Sequence, residues 1–92
     1  MSEYIEILTE VGNTKDSLYI FTNLRLTESE VEEYESQQAM ELGSPVAQAL
    51  SAVDDLRFIR LDEGELFVLR EPDANWHGIV EDITAVLKDF FL

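Results

Sequence analysis

Groups able to do chemistry are unevenly supplied in this sequence. Twenty Asp and Glu stand against six Lys and Arg, a formal charge of -14 over 92 residues, with one histidine and no cysteine. The lack of cysteine removes disulfides, thiolate nucleophiles and thiolate metal ligands together. Ser44 stands in Gly43-Ser44-Pro45 rather than in a G-x-S-x-G elbow, so it reads as a helix cap and not a nucleophile. At this density carboxylate pairs are inevitable and discriminate nothing. Acid–base catalysis needs a pocket that shifts one pKa, and a two-layer domain of this size rarely encloses one. A non-enzymatic protein is expected.

The acids concentrate between Glu28 and Glu41, where Glu28, Glu30, Glu32, Glu33, Glu35 and Glu41 occur without a base. A solvated face is the first reading of this run. A docking patch for a basic partner comes second, and a hard-cation site third. Calcium needs carboxylates converging through a tight loop, and the alternation here lacks the D-x-D-x-D-G pattern. Asp62-Glu63-Gly64-Glu65 reads as a polar hairpin turn, and His77 as a solvated side chain with no second imidazole to complete a site. No metal or cofactor is expected. Trp76 reads as an aromatic clamp holding the last helix on the sheet.

The net charge repels phosphate, which disfavours nucleic acid, and it attracts basic partners; halophilic adaptation produces the same bias. No apolar run approaches the ~20 residues of a membrane span. Met1-Ser2-Glu3-Tyr4 lacks the basic start of a secretory signal, so a cytoplasmic location is expected.

The elements that would position these groups follow from periodicity. Residues 4–9 and 17–23 read as strands of a hairpin, with Leu18 and Ile20 on one side and Tyr19 and Phe21 on the other. Between them, Gly12-Asn13 and Lys15-Asp16 carry turn chemistry. Residues 24–43 are expected to be a loosely ordered connection. Thr27-Glu28-Ser29-Glu30 matches a capping box, and 31–34 is an alternative edge strand. Ser44 and Pro45 then open a helix that buries Val46, Ala49, Leu50 and Val53 and stops near Asp54-Asp55. Residues 56–61 and 66–70 read as a second hairpin. Asp73 is expected to cap a final helix with Trp76, Ile79, Val80, Ile83, Leu87 and Phe90 on its apolar face. Gly78 weakens that helix unless it permits close packing on the sheet. The order β-β-α-β-β-α predicts one α+β domain over 1–92, a two-layer sandwich with two helices on one face of an antiparallel sheet.

Several of these segments resemble the N-terminal domain of Nfu/NifU-type iron–sulfur scaffold proteins. Gly43-Ser44-Pro45-Val46-Ala47-Gln48-Ala49-Leu50 is similar to the family's G-S-P-L-A-x-A-L, and Glu65-Leu66-Phe67-Val68-Leu69 to its D-F-I-x-V strand. Asp73-Ala74-Asn75-Trp76 is similar to D-A-D-W, and Thr9-Glu10 and Ser17-Leu18 stand where the family carries T-E and S-L. The early loop departs from the pattern, since 11–16 has none of the family's prolines. Asp54-Asp55 replaces the family's E-G, with Asp55 tolerating a left-handed backbone better than most residues. The family's C-x-x-C cluster-binding module is a separate domain and is absent from these residues, so cluster ligation is not carried over.

The resemblance implies an interaction module accessory to iron–sulfur cluster assembly or delivery, holding a scaffold, donor or recipient protein. Its expected contact residues are Asn13, Thr14, Lys15 and Asp16 in the early loop, and Glu28, Glu30, Glu32, Glu33 and Glu35 in the acidic run. Two alternatives come from composition: an acidic protein binding iron or calcium, and an acidic mimic of nucleic acid.

Overall fold

The computed structural model describes residues 5–27 and 30–92. Strands β1 (Ile7–Val11) and β2 (Ser17–Arg25) form the expected hairpin, with Ile7 opposite Thr22 and Val11 opposite Leu18. After a short strand β3 (Glu32–Tyr34) come two short helices, α1 (Gln37–Glu41) and α2 (Pro45–Leu50). A long strand β4 (Leu56–Arg70) and helix α3 (Trp76–Phe91) complete the chain. The sheet order is β1-β2-β4-β3, antiparallel throughout. Helices cover one face of it, giving the α+β two-layer sandwich.

Two expectations about the sheet need correction. The connection 24–43 is not loosely ordered where it is described. Glu32 pairs with Leu61 and Tyr34 with Ile59, so this acidic stretch supplies the fourth strand. Its brevity and charge suit an edge position, where a longer apolar strand would invite pairing with other chains. The capping box falls on Glu28 and Ser29, which lie outside the described residues.

The second hairpin is also absent. Residues 56–70 run as one strand whose far half pairs with β2 (Leu18 opposite Val68) and whose near half pairs with β3. Fifteen extended residues would span about 46–50 Å, yet the longest dimension of the molecule is 41 Å, so β4 bends. The bend is at Gly64, with φ +75, beside a register shift between Phe21 and Arg25 of β2. An L side chain is strained at that φ. The extra residues on β2 make a bulge, which re-aims side chains as bulges do. Ile59 and Leu61 face the core before it, Leu66 and Val68 after it.

The core is aliphatic. Ile20, Met40, Leu50, Ile59, Leu61, Leu66, Ile83 and Leu87 are all less than 2 % exposed. In α2, Val46 and Leu50 are buried as expected, and Ala47 is buried more deeply than Ala49. That helix ends at Ser51, three residues before Asp54, and Val53 enters the core from the following turn. The side-chain amide of Gln37 donates to the carbonyl of Val53, tying α1 to that turn. In α3, Ile79, Ile83 and Leu87 are buried and Trp76 and Val80 half-buried, but Phe90 is exposed. Among the described residues no helix is long and apolar enough to cross a membrane.

Two aspartates adopt left-handed backbone, Asp55 at φ 70 and Asp73 at φ 67. Asp55 thus adopts the left-handed backbone that aspartate tolerates better than most residues. Asp73 is not the cap of α3. It occupies the third position of a turn closed by Ala74 N–H donating to Glu71 C=O, with Pro72 at the second, a pattern suited to positive φ. Asn75 caps instead, its side-chain oxygen accepting from His77 N–H at 2.9 Å.

Gly78 has no packing role. A Cβ built there would meet nothing within 4 Å. Gly78→Ala is therefore expected to stabilise the protein by about 0.5–1 kcal/mol through the lost backbone freedom of glycine. A raised urea midpoint at constant slope checks this; an unchanged or lowered midpoint contradicts it.

Candidate functional site

The two segments expected to carry contacts are built differently. The early loop closes through Gly12 N–H donating to Ser17 C=O at 3.1 Å and Ser17 N–H to Thr14 C=O at 3.2 Å. The buried Ser17 hydroxyl accepts from Thr14 N–H at 3.1 Å and donates to the Thr14 carbonyl at 3.0 Å. Asn13, Thr14 and Lys15 are exposed, while Asp16 is half-buried.

Asp16 belongs to a clamp that the sequence did not reveal. Arg70, at the end of β4, donates from Nε to Asp16 Oδ1 at 3.0 Å and from a terminal guanidinium nitrogen to Ala74 C=O at 2.6 Å. Its guanidinium lies 5.0 Å from the centre of the Trp76 ring. The Trp76 indole N–H in turn donates to the Lys15 carbonyl at 2.9 Å. Trp76 is thus half-buried and clamps the loop to the head of α3, so its role is wider than packing helix on sheet. Only Arg70's distance in sequence hid it, since 54 positions separate Arg70 from Asp16.

In the acidic run, Glu30, Glu33 and Glu35 are exposed, and Glu32 is not free. Its carboxylate accepts from the Tyr34 hydroxyl at 2.6 Å, and the Thr27 hydroxyl lies 3.1 Å away. The Thr27 hydroxyl has one proton and stands closer, at 2.6 Å, to the Glu30 carbonyl, so it is shared between the two acceptors. Tyr34 Oη also accepts from Ser44 N–H at 3.2 Å, joining β3 to the cap of α2. Glu28 lies outside the described residues.

Burial pushes the Glu32 carboxyl up, but hydrogen bonding from Tyr34, Ser44 and Thr27 together outweighs it and brings the pKa below 4.5. A carboxyl whose pKa is lowered on folding stabilises the protein above its unfolded value, and loses that contribution as pH falls through the folded one. Protonating the other acids relieves repulsion at the same time, so the comparison must be differential. Tyr34→Phe is expected to cost about 1–3 kcal/mol at pH 7. The gap from wild type should narrow as pH drops below about 4.5. A gap constant with pH would show that Glu32 is not the hydroxyl's partner.

Among the described residues no three His, Asp or Glu come together as ligands for a metal ion. His77 forms an exposed pair with Glu81 at 2.9 Å, one turn along α3. A cleft of about 520 Å³ lies between Leu26, Val31 and the α2 start on one side and Phe90 and Phe91 on the other. Its walls carry Glu30, Glu32 and Arg25 together with the hydroxyls of Thr27 and Ser44.

No protein family matches the chain, and no curated protein does. Solved structures do. A solution structure of a NifU-like protein from Saccharomyces cerevisiae superposes with a TM-score of 0.75 at 15% identity, covering 97% of this chain and 82% of that one. The fold is NifU-like. The crystal structure of protein SAV1430 from Staphylococcus aureus also shares it, with a TM-score of 0.70 at 16% identity over 89% of this chain and 98% of that one. Within this NifU-like fold, the segment 43–50 is the capped start of α2, and 73–76 is the turn that opens α3.

Proposed function

We propose that this chain is a non-enzymatic protein-binding domain accessory to iron–sulfur cluster assembly or delivery. The observation that carries the reading is a NifU-like fold extending over 97% of the chain, on which the sequence motifs shared with Nfu-type domains fall at the cap of α2 and the entry to α3. The role follows from that likeness together with charge. At -14, the domain steers basic surfaces toward itself, and such steering acts mainly on the rate of encounter. The exposure of Glu30, Glu33 and Glu35 supports them as contact residues, whereas Glu32 is held by its own fold.

Affinity capture from the native cell at about 50 mM salt, eluted with rising salt, tests this. Iron–sulfur scaffold, donor or recipient proteins are expected to dominate the eluate, leaving by about 500 mM. Eluates without cluster proteins would overturn the reading. For a purified partner, the combined change Glu30→Gln, Glu33→Gln and Glu35→Gln should lower the association rate several-fold at low salt and little at high salt. Association indifferent to ionic strength would remove the acidic surface from the account.

A further inference from the structure

Among the described residues no aromatic side chain is fully buried. Every fully buried hydrophobic residue described is aliphatic, alanine or methionine. Four rings, Tyr19, Phe21, Phe58 and Phe67, gather instead on the sheet face that no helix covers. Strand alternation sets this, since Leu18, Ile20, Leu66 and Val68 between them point into the core. Tyr19 and Phe67 are directly opposite, with ring centres 4.9 Å apart, and the Tyr19 and Phe21 planes lie within 13° of parallel. Phe58 meets Phe67 edge-on at 6.2 Å. All four remain only half-buried, and Leu8, opposite Phe21, is 57% exposed.

Charge on this face has a pattern too. The register puts Glu10 beside Tyr19, Glu65 beside Phe21 and Glu33 beside Arg60. Arg60 already shows what the rings accept: its guanidinium lies 5.2 Å from the centre of Phe67. An open sheet with rings also suits stacked bases. A phosphate backbone, however, would have to approach Glu10, Glu65 and Glu33 on a chain of -14. A second copy of this chain meets the same repulsion. A guanidinium satisfies both features at once, because it stacks on a ring and pairs with a neighbouring carboxylate.

We infer that the uncovered sheet face, centred on Tyr19, Phe21 and Phe67, docks an arginine-bearing segment of a partner protein. The guanidinium planes stack on the rings and their charge is held by Glu10 and Glu65. This rests on the reading of the domain as protein-binding, and it names a surface separate from the early loop and the acidic run.

The probe is a short synthetic peptide in which Arg alternates with Leu and Ser, beside its Lys counterpart, followed by amide chemical shifts and calorimetry on the whole chain. Shifts are expected along β1, β2 and the 65–69 part of β4, with the Lys peptide bound several-fold more weakly. Tyr19→Leu with Phe21→Leu keeps apolar area but removes the rings, and should weaken the Arg peptide about tenfold. Should that variant fail to fold, Glu10→Gln with Glu65→Gln alters only charge and should weaken it several-fold at low salt. Shifts confined to 30–35 or the helices would overturn the inference. So would equal binding of both peptides, indifference to these substitutions, or the same amide shifts produced by a single-stranded oligonucleotide added without peptide. Cellular capture separates the two readings. Cluster proteins retained equally by the ring variant would remove this face and leave the proposed function standing. A peptide that binds as expected, with no cluster proteins captured, would do the reverse.

Discussion

Arg70→Ala is expected to destabilise the protein by about 2–4 kcal/mol. The Arg70 side chain is only 15% exposed and its partner Asp16 26%, so the pair falls between a surface bridge and a buried one. Exposed pairs contribute up to about 1 kcal/mol, while stranding one member of a buried pair costs about 3–5 kcal/mol. Arg70 also donates to Ala74 C=O and lies over the Trp76 ring, and truncation removes both contacts. Arg70→Lys should recover less than half of the loss, because an ammonium cannot reproduce the planar fork or its stacking. Urea unfolding measures both variants. Amide exchange adds a local readout, since Arg70 N–H donates to Asp16 C=O and the loop beyond it is pinned by Trp76. Faster exchange at 12–17 is expected in Arg70→Ala. A loss below about 1 kcal/mol would mean that the clamp is a surface pair only.

Gly43→Ala is the second large effect. A Cβ at this position would stand 2.3 Å from Cε1 of the Tyr34 ring and 2.6 Å from its Cζ and Oη. Gly43 is not at positive φ, so the requirement is for space. The ring has little freedom to withdraw, because its hydroxyl donates to Glu32 and accepts from Ser44 N–H. Overpacking of this kind costs about 1–3 kcal/mol, and the rigid ring argues for the upper end. The contact is tested by a double-mutant cycle. In a Tyr34→Ala background the same glycine substitution should cost no more than a few tenths of a kcal/mol, a coupling of more than about 1 kcal/mol. Additive losses would show that Gly43 serves something other than the ring.

Tyr34 also explains why the acidic run is ordered. Repulsion among the six acids from Glu28 to Glu41 disfavours a long packed helix, and a count of charges does not show that Glu32 has internal donors. Those donors are Thr27 after β2 and Tyr34 in β3 itself, and the Tyr34 hydroxyl is in turn held by Ser44 N–H at the α2 cap. Once one carboxylate is satisfied by the fold, the exposed Glu33 sits on a strand whose backbone is paired, with Glu30 and Glu35 just outside it, and repulsion no longer prevents order. The candidate contact set divides accordingly: Asn13, Thr14, Lys15, Glu30, Glu33 and Glu35 face solvent, whereas Asp16 and Glu32 are engaged.

Local chemistry was enough for what depends on near neighbours. Ser44 caps α2 from one turn away, Pro45 follows it, and the spacing of Ile79, Ile83 and Leu87 marks the buried stripe of α3 without reference to anything distant. Alternation in β2 separated Leu18 and Ile20 from Tyr19 and Phe21, and with two amphipathic helices this determined a two-layer α+β sandwich. Tertiary pairing decided the rest. Asp62-Glu63-Gly64-Glu65 breaks the alternation of its strand, and a hairpin turn and a bulge require the same thing there, a residue at positive φ. Whether the chain reverses or merely bends depends on which strands lie alongside, and β2 and β3 flank the two halves of β4. The Arg70 clamp and the aromatic face belong to the same class. Each joins side chains that are remote along the chain, and only the sheet register brings them within reach of one another.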